Sequence, residues 1–255
     1  MQLPSLTEEI CSSCAADVRA VVFNRVPKCG STTLEHILKN QSRACGFQFK
    51  RSFDFVNSSV TEDEQWRFAE LITELSRRRR VVYDRHLHYV NFSRFGAEQP
   101  HYINLVREPV QMQVSAFYFW RDCVCRTHMS FCRAAWQPSR ASAICQLDID
   151  AVYARVPPRP AVGVITRYLC GHDPVCRVRD PASEGERRAA LGLALHNLHH
   201  HYLWVGVLER FEESLQLLVT EKKTPFKPVP SPMHCDEPPK LRAQSVETTP
   251  RCGCS

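Results

Sequence analysis

The sequence predicts an α/β domain built on a central, mainly parallel sheet flanked by helices on both faces. Short apolar runs alternate with longer segments of helical periodicity, the order that strand–helix–strand units impose. The stretch "VVFNRVPKCGSTTLEHILKN", residues 21–40, sets out one such unit: an apolar run, a loop with one Lys and one Gly, then hydroxyl residues opening a helix. With 255 residues, 44% of them apolar, the chain can bury one substantial core.

Val18 to Asn24 reads as the first strand, a short apolar run ending at a turn. Ser31 to Lys39 follows as a helix with Leu34, Ile37 and Leu38 on one face. Glu62 to Arg77 is a second helix, its apolar side made by Trp66, Phe68, Leu71, Ile72 and Leu75. Val81 to Tyr83 gives the next strand and Tyr102 to Val106 another. Pro109 to Trp120 is a helix with proline in its first turn, where a missing N–H costs little. Residues 121–160 read as cysteine-rich and irregular. The helix Glu184 to His201, the strand Leu203 to Val207 and the helix Phe211 to Val219 complete the pattern. Residues 1–17 read as an extension, 18–220 as the folded domain and 221–255 as a Pro-rich tail without periodicity, expected to be largely disordered. Internal repeats are absent.

A net charge of +6 suits a polyanionic partner: nucleic acid, acidic polysaccharide or nucleotide phosphates. Charge alone does not separate them. The 13 cysteines allow disulfides, a zinc site or buried thiols. No run of about 18 apolar residues provides a membrane span, and "MQLPSLTEEICSSC" has no charged-then-apolar secretion signal.

The loop "RVPKCGST" places backbone N–H groups and a helix N-terminus where an anion would sit, with Lys28 as a point charge and Ser31 and Thr32 as donors. An ATP-binding loop has Gly-x-x-x-x-Gly-Lys-Ser/Thr. Here the first Gly is missing and Lys28 precedes Cys29-Gly30, which disfavours ATP with magnesium. A solvated Lys on an ordinary strand-to-helix loop would read the same way. In "YINLVREPVQMQVSAFYFWRD", residues 102–122, Arg107 lies just past a strand's carboxyl end, and Ser115 follows eight residues later. The pair can clamp a second phosphate, or Arg107 can serve only as a salt-bridge residue.

Taken together, these two segments resemble the uronyl 2-O-sulfotransferases, which sulfate hexuronic acids in heparan, dermatan and chondroitin chains. "FNRVPKCGSTT" is similar to their loop for the 5′-phosphosulfate of PAPS (3′-phosphoadenosine 5′-phosphosulfate), and "INLVREPVQMQVSAFYFWR" to their 3′-phosphate segment. "YDRHLHYVNFSRFG" and "YLCGHDPVC" match in kind and order. The resemblance spans residues 18–220 and leans toward the dermatan/chondroitin branch. It implies a P-loop-NTPase-like sulfotransferase fold, PAPS as sulfuryl donor without a metal, and a glycosaminoglycan acceptor in place of nucleic acid. It also implies Arg25, Lys28, Gly30, Ser31 and Thr32 on the 5′-phosphosulfate, and Arg107 and Ser115 on the 3′-phosphate. Lys28 would in addition stabilise charge on the bridging oxygen as the sulfuryl group leaves.

A sugar hydroxyl needs a base, and histidine titrates near neutrality. In the family the catalytic His stands six residues before the first Phe of a Phe-x-x-Phe-Gly stretch, and counting back from Phe92 gives His86. His88 would contact substrate or support the site. Where the heparan branch has another His, two positions before the base, this chain has Asp84, a candidate to orient His86. Arg25, Arg94 and Arg121 flank the expected cleft and can pair with uronate carboxylates or sulfates. Consecutive helical residues point about 100° apart, so His199-His200-His201 reads as a solvated helix end and not a metal site. The run Arg77 to Arg80 is either a solvated helix C-terminus or a glycan contact.

Cys170 and Cys176 resemble a disulfide loop of the family, and Cys132 with Cys145 is a second candidate pair. Cys11-x-x-Cys14 and Cys123-x-Cys125 have no matching second pair for zinc. The resemblance further implies a type II Golgi membrane protein whose anchor and stem this sequence does not contain. Relative to the family the domain is expected to be C-terminally truncated beyond "VGVLERFEESLQLL", with the family's trimeric assembly in question. Two competing readings stand beside the enzyme. One is a glycosaminoglycan-binding relative without turnover. The other is a kinase, which requires the absent ATP loop.

Overall fold

The computed structural model describes residues 18–44, 46–52, 57–127, 144–155, 163–177 and 183–220. Five strands, β1 (Ala20–Asn24), β2 (Gln48–Arg51), β3 (Val81–Arg85), β4 (His101–Val106) and β5 (Tyr202–Val207), form one sheet in the order β2-β3-β1-β4-β5. Every neighbouring pair is parallel, with Phe23 opposite Asp84 on one side and Ile103 on the other. The helices are α1 (Ser31–Ala44), α2 (Glu62–Arg78), α3 (Pro109–Asp122), α4 (Ile149–Arg155), α5 (Val164–Cys170), α6 (Glu184–His201) and α7 (Phe211–Thr220).

Alternating residues of the strands feed two cores. Val22 and Tyr102 pack with Phe68 and Ile72 of α2 and with Ala190 and Ala194 of α6. Phe23, Ile103, Leu105 and Trp204 pack with Leu34 of α1 on the opposite face. Both faces are therefore covered, as a parallel sheet requires. Capping residues begin the long helices. Thr61 with Glu64 makes a capping box on α2, Ser183 with Glu186 makes one on α6, and the Glu108 carboxylate accepts from the Val110 and Gln111 amides on α3.

Three features depart from the expectations. β2 is an additional edge strand, Gln48–Arg51, whose charged residues conceal it. Residues 121–160 are not irregular throughout: a π-helical turn, Cys123–Thr127, continues α3, and α4 lies within them. Cys145 is bonded to Cys125 and not to Cys132, which lies outside the described residues. The Cys170–Cys176 bridge is present. The tail at 221–255 and the extension at 1–17 also lie outside the described residues.

Strand order fixes where a ligand can enter. From β1 the chain runs to β3 and β2 on one side and to β4 and β5 on the other. The carboxyl edge around β1 is therefore the switch point, where open α/β sheets form a crevice. No described helix is long and apolar enough to cross a membrane.

Candidate active site

Three strand ends meet at that crevice. β1 leads into the loop Arg25 to Gly30, β3 into His86, and β4 into Arg107. Two buried asparagines fix the first loop. Asn104 of β4 donates to the Asn24 carbonyl at 2.7 Å and to its Oδ1 at 2.9 Å. Asn104 Oδ1 accepts from the Val26 amide at 3.4 Å, and Tyr202 Oη donates to Asn24 Oδ1 at 3.1 Å. Neither asparagine stands out in the sequence, since each falls inside an apolar run.

Within the loop, Lys28 (φ 62°) and Gly30 (φ 75°) are both left-handed, a conformation that turns successive N–H groups toward one concavity. A Cβ on Gly30 would lie 2.5 Å from a Leu208 methyl. α1 then begins at Ser31 without an acidic residue in its first turn, and its first N–H groups open onto the same space.

The result is a cleft of about 590 Å³ lined by Lys28, Gly30, Ser31, Thr32, His86, Arg107 and Ser115. The sequence-derived donor and base residues thus converge, with Arg25 the exception. Phe119, Trp120 and Tyr168 add aromatic walls, and Ser58 and Leu208 complete the rim. Phe119 was detectable in principle, because it lies one turn after Ser115 and shares its helix face. Tyr168 and Ser58 come from distant segments and carry no local signal.

The electrostatics are those of an anion site. The Lys28 ammonium sits 4.2 Å from the Phe119 ring centre, and burial, then the nearby Arg107 charge, holds its pKa below the ordinary value. Arg107 donates to the Lys28 carbonyl at 3.4 Å, and its Nε is 3.9 Å from Glu209. Two cations facing each other beside a helix N-terminus favour a negatively charged guest.

His86 makes a hydrogen bond from Nδ1 to the Arg25 carbonyl at 2.9 Å. A carbonyl only accepts, so Nδ1 carries the proton and Nε2 keeps its lone pair. Burial first, then the Arg25 guanidinium, brings the imidazole down to about 4, so it is neutral at physiological pH. The buried thiol of Cys29, by contrast, is pushed up to about 12 and is not a nucleophile at neutral pH.

Four of the sequence-derived residues are placed away from the cleft lining. Arg25 is 2% exposed and ion-paired to Glu35 at 2.8 Å and Asp84 at 2.9 Å. His88 packs edge-on against Tyr168 and beside His172, behind the cleft wall. Arg94 pairs with Glu62 at 3.1 Å. Arg121 lines a separate cavity of about 540 Å³ with Tyr118, Arg126 and the Cys125–Cys145 bridge. Arg77 and Arg78 pair with Glu74 at the exposed end of α2. Of the three terminal histidines of α6, His200 stacks on His196 and His201 on Tyr89. No group of three metal-ligating side chains occurs among the described residues.

Comparison with known proteins places this geometry. A model of the sulfotransferase family matches residues 14–218. Human uronyl 2-sulfotransferase is 35% identical over 207 residues, which cover 78% of this chain and 47% of that protein. The heparan sulfate 2-O-sulfotransferase hst-2 of Caenorhabditis elegans is 28% identical over 214 residues, covering 78% and 59%. The uronyl 2-sulfotransferase homolog pip of Drosophila melanogaster is 36% identical over 107 residues, covering 42% and 21%. The chain spans about half the length of the first two relatives. With four-fifths of its length matched by the family model and a parallel sheet carrying the expected loop, the chain belongs to the sulfotransferase family.

Proposed function

We propose that the protein transfers a sulfuryl group from PAPS to the 2-hydroxyl of hexuronic acid residues in a glycosaminoglycan. The observation that carries this reading is the convergence of Lys28, Arg107, Ser115 and a neutral His86 on one cleft at the carboxyl edge of the sheet. The residues present fit the donor: cations and hydroxyls suit its two anionic ends, and Phe119, Trp120 and Tyr168 suit an aromatic base. When bound, the donor supplies an activated sulfuryl group and leaves as adenosine 3′,5′-bisphosphate.

The chain's own residues then divide the work. The backbone N–H groups of the loop, with Lys28, Ser31 and Thr32, hold the 5′ end, while Arg107 and Ser115 hold the 3′-phosphate. Lys28 stands where charge grows on the departing oxygen, which is electrostatic stabilisation by a donor already in place. His86 Nε2 takes the proton of the sugar hydroxyl as that oxygen attacks. A basicity near 4 is low for this task. Burial is the main cause of that depression and the Arg25 charge the second; anions entering the cleft oppose the second and so raise the basicity of His86. The Cys125–Cys145 and Cys170–Cys176 bridges support an oxidising compartment as the site of action, in keeping with the Golgi lumen that the family resemblance implies.

Incubating the purified chain with PAPS and 2-O-desulfated dermatan or heparan, followed by disaccharide analysis, tests the reading. New 2-sulfated uronate is the expected product. Sulfate appearing only on amino sugars, or not at all, overturns it.

A further inference from the structure

Beneath the base lies a buried ionic assembly that the proposed reaction does not itself require. Arg25 follows β1, and its guanidinium points away from the cleft into the protein, at 2% exposure. Its Nη1 donates to Glu35 Oε2 at 2.8 Å, and its Nε lies 2.9 Å from Asp84 Oδ1. Glu35, on α1 one turn after Ser31, reaches Arg51 of β2 with its other oxygen at 2.9 Å. Asp84 belongs to β3, is fully buried and stands two residues before His86.

The backbone of Arg25 completes the connection. Its N–H donates to the Arg85 carbonyl at 3.0 Å, and its own carbonyl accepts from His86 Nδ1 at 2.9 Å. One residue therefore joins α1, β1 and β3 through its side chain and fixes the tautomer of the base through its main chain. A guanidinium suits this task because its planar fork donates to Glu35 while its Nε stands against Asp84 as a charge contact without hydrogen-bond alignment. Burial pushes the Asp84 carboxyl up to about 7, and the Arg25 charge opposes that. An isolated buried charge is costly, so the assembly holds only with all its partners in place. That dependence makes the Arg25 carbonyl a stiff reference point for the imidazole.

We propose that Arg25, held by Glu35 and Asp84, is a positioning residue for His86 and not a ligand of the sulfuryl donor. Its guanidinium anchors the carbonyl that keeps the proton on Nδ1 and leaves Nε2 free to accept one. The alternative role, contact with the 5′-phosphosulfate, would require the side chain to abandon both carboxylates. This inference rests on the reading of His86 as the base, but its test does not depend on turnover.

The experiment uses the full chain and two variants, Arg25→Lys and Glu35→Gln. Glu35→Gln preserves the shape and one acceptor oxygen, and it decides the matter should Arg25→Lys fail to fold. Nitrogen-15 imidazole shifts, assigned with His86→Gln, read the tautomer at pH 7. Calorimetry reads binding of adenosine 3′,5′-bisphosphate. The unmutated chain is expected to show one dominant tautomer with hydrogen on Nδ1, and the folded variants a mixture of tautomers. Nucleotide affinity in the variants should stay within about threefold of the unmutated value, since no uniform binding contact is removed. A single unchanged tautomer in folded Glu35→Gln overturns the proposal. So does a fall in nucleotide affinity of about tenfold or more, the signature of a lost ligand contact. If the unmutated chain transfers no sulfuryl group, the functional reading fails while the tautomer measurement still decides the positioning role.

Discussion

Lys28 and Gly30 carry the loop's chemistry and its shape respectively, and their substitution should separate the two. Lys28→Ala keeps an L-residue at the left-handed position (φ 62°) and removes the cation beside Arg107. The expected loss in kcat/KM is roughly 10²–10³-fold, the usual effect of deleting one pre-placed transition-state donor. Steady-state kinetics with varied PAPS checks it. Gly30→Ala acts on stability, since an L-residue at φ 75° is strained by about 1–2 kcal/mol. Urea unfolding should show that loss, with the displaced Leu208 methyl as a smaller contribution. At this scale the sequence was most informative where a residue's role is set by its neighbours in the chain. The loop suggests Lys28, Ser31 and Thr32 as anion contacts, and Ser115, eight residues after Arg107, gains its role only from the resemblance that the two segments carry together. Arg25 and His88 are not placed this way. Their neighbours along the chain are cleft residues, yet burial among Glu35, Asp84 and His172 directs them elsewhere.

The elements show the same division. β1, β3, β4 and β5 are apolar enough to read as strands, and the capped helices announce their own starts. β2, Gln48–Arg51, is a polar edge strand recognisable only from its pairing with β3. The short α5 is held from outside by the Cys170–Cys176 bridge and by His172. That imidazole makes an Nδ1 hydrogen bond to the Tyr89 carbonyl at 3.0 Å and accepts from the Val60 amide at Nε2, also at 3.0 Å. The bridge closes a small loop, so replacing both cysteines by Ser should cost about 2 kcal/mol on chain-entropy grounds. Because Tyr168 of α5 lines the cleft, that variant should also bind adenosine 3′,5′-bisphosphate more weakly. Denaturation curves with calorimetry on the same samples measure both effects.

For the molecule as a whole, three buried imidazoles impose a pH dependence. His86 and His172 are held down to about 4 and His88 to about 3, in each case chiefly by burial. Unfolded, each takes up a proton near 6.5, its unperturbed value. Between about 4 and 6.5 these three rings bind more protons unfolded than folded, which lowers stability as pH falls. Asp84, pushed up by burial to about 7, opposes them in the same window but is one group against three. Urea midpoints at pH 7 and pH 5 should differ in that direction, and equal midpoints would contradict the burial of these neutral rings. The same neutrality underlies the central claim, that His86 accepts the proton in a sulfuryl transfer. The most direct measurement is the rate of labelled sulfuryl transfer at saturating PAPS for the unmutated chain and for His86→Ala. Transfer by the unmutated chain is expected, with a fall of roughly 10²–10⁴-fold in the variant, the usual contribution of a positioned base. Transfer by His86→Ala at the unmutated rate would contradict the claim.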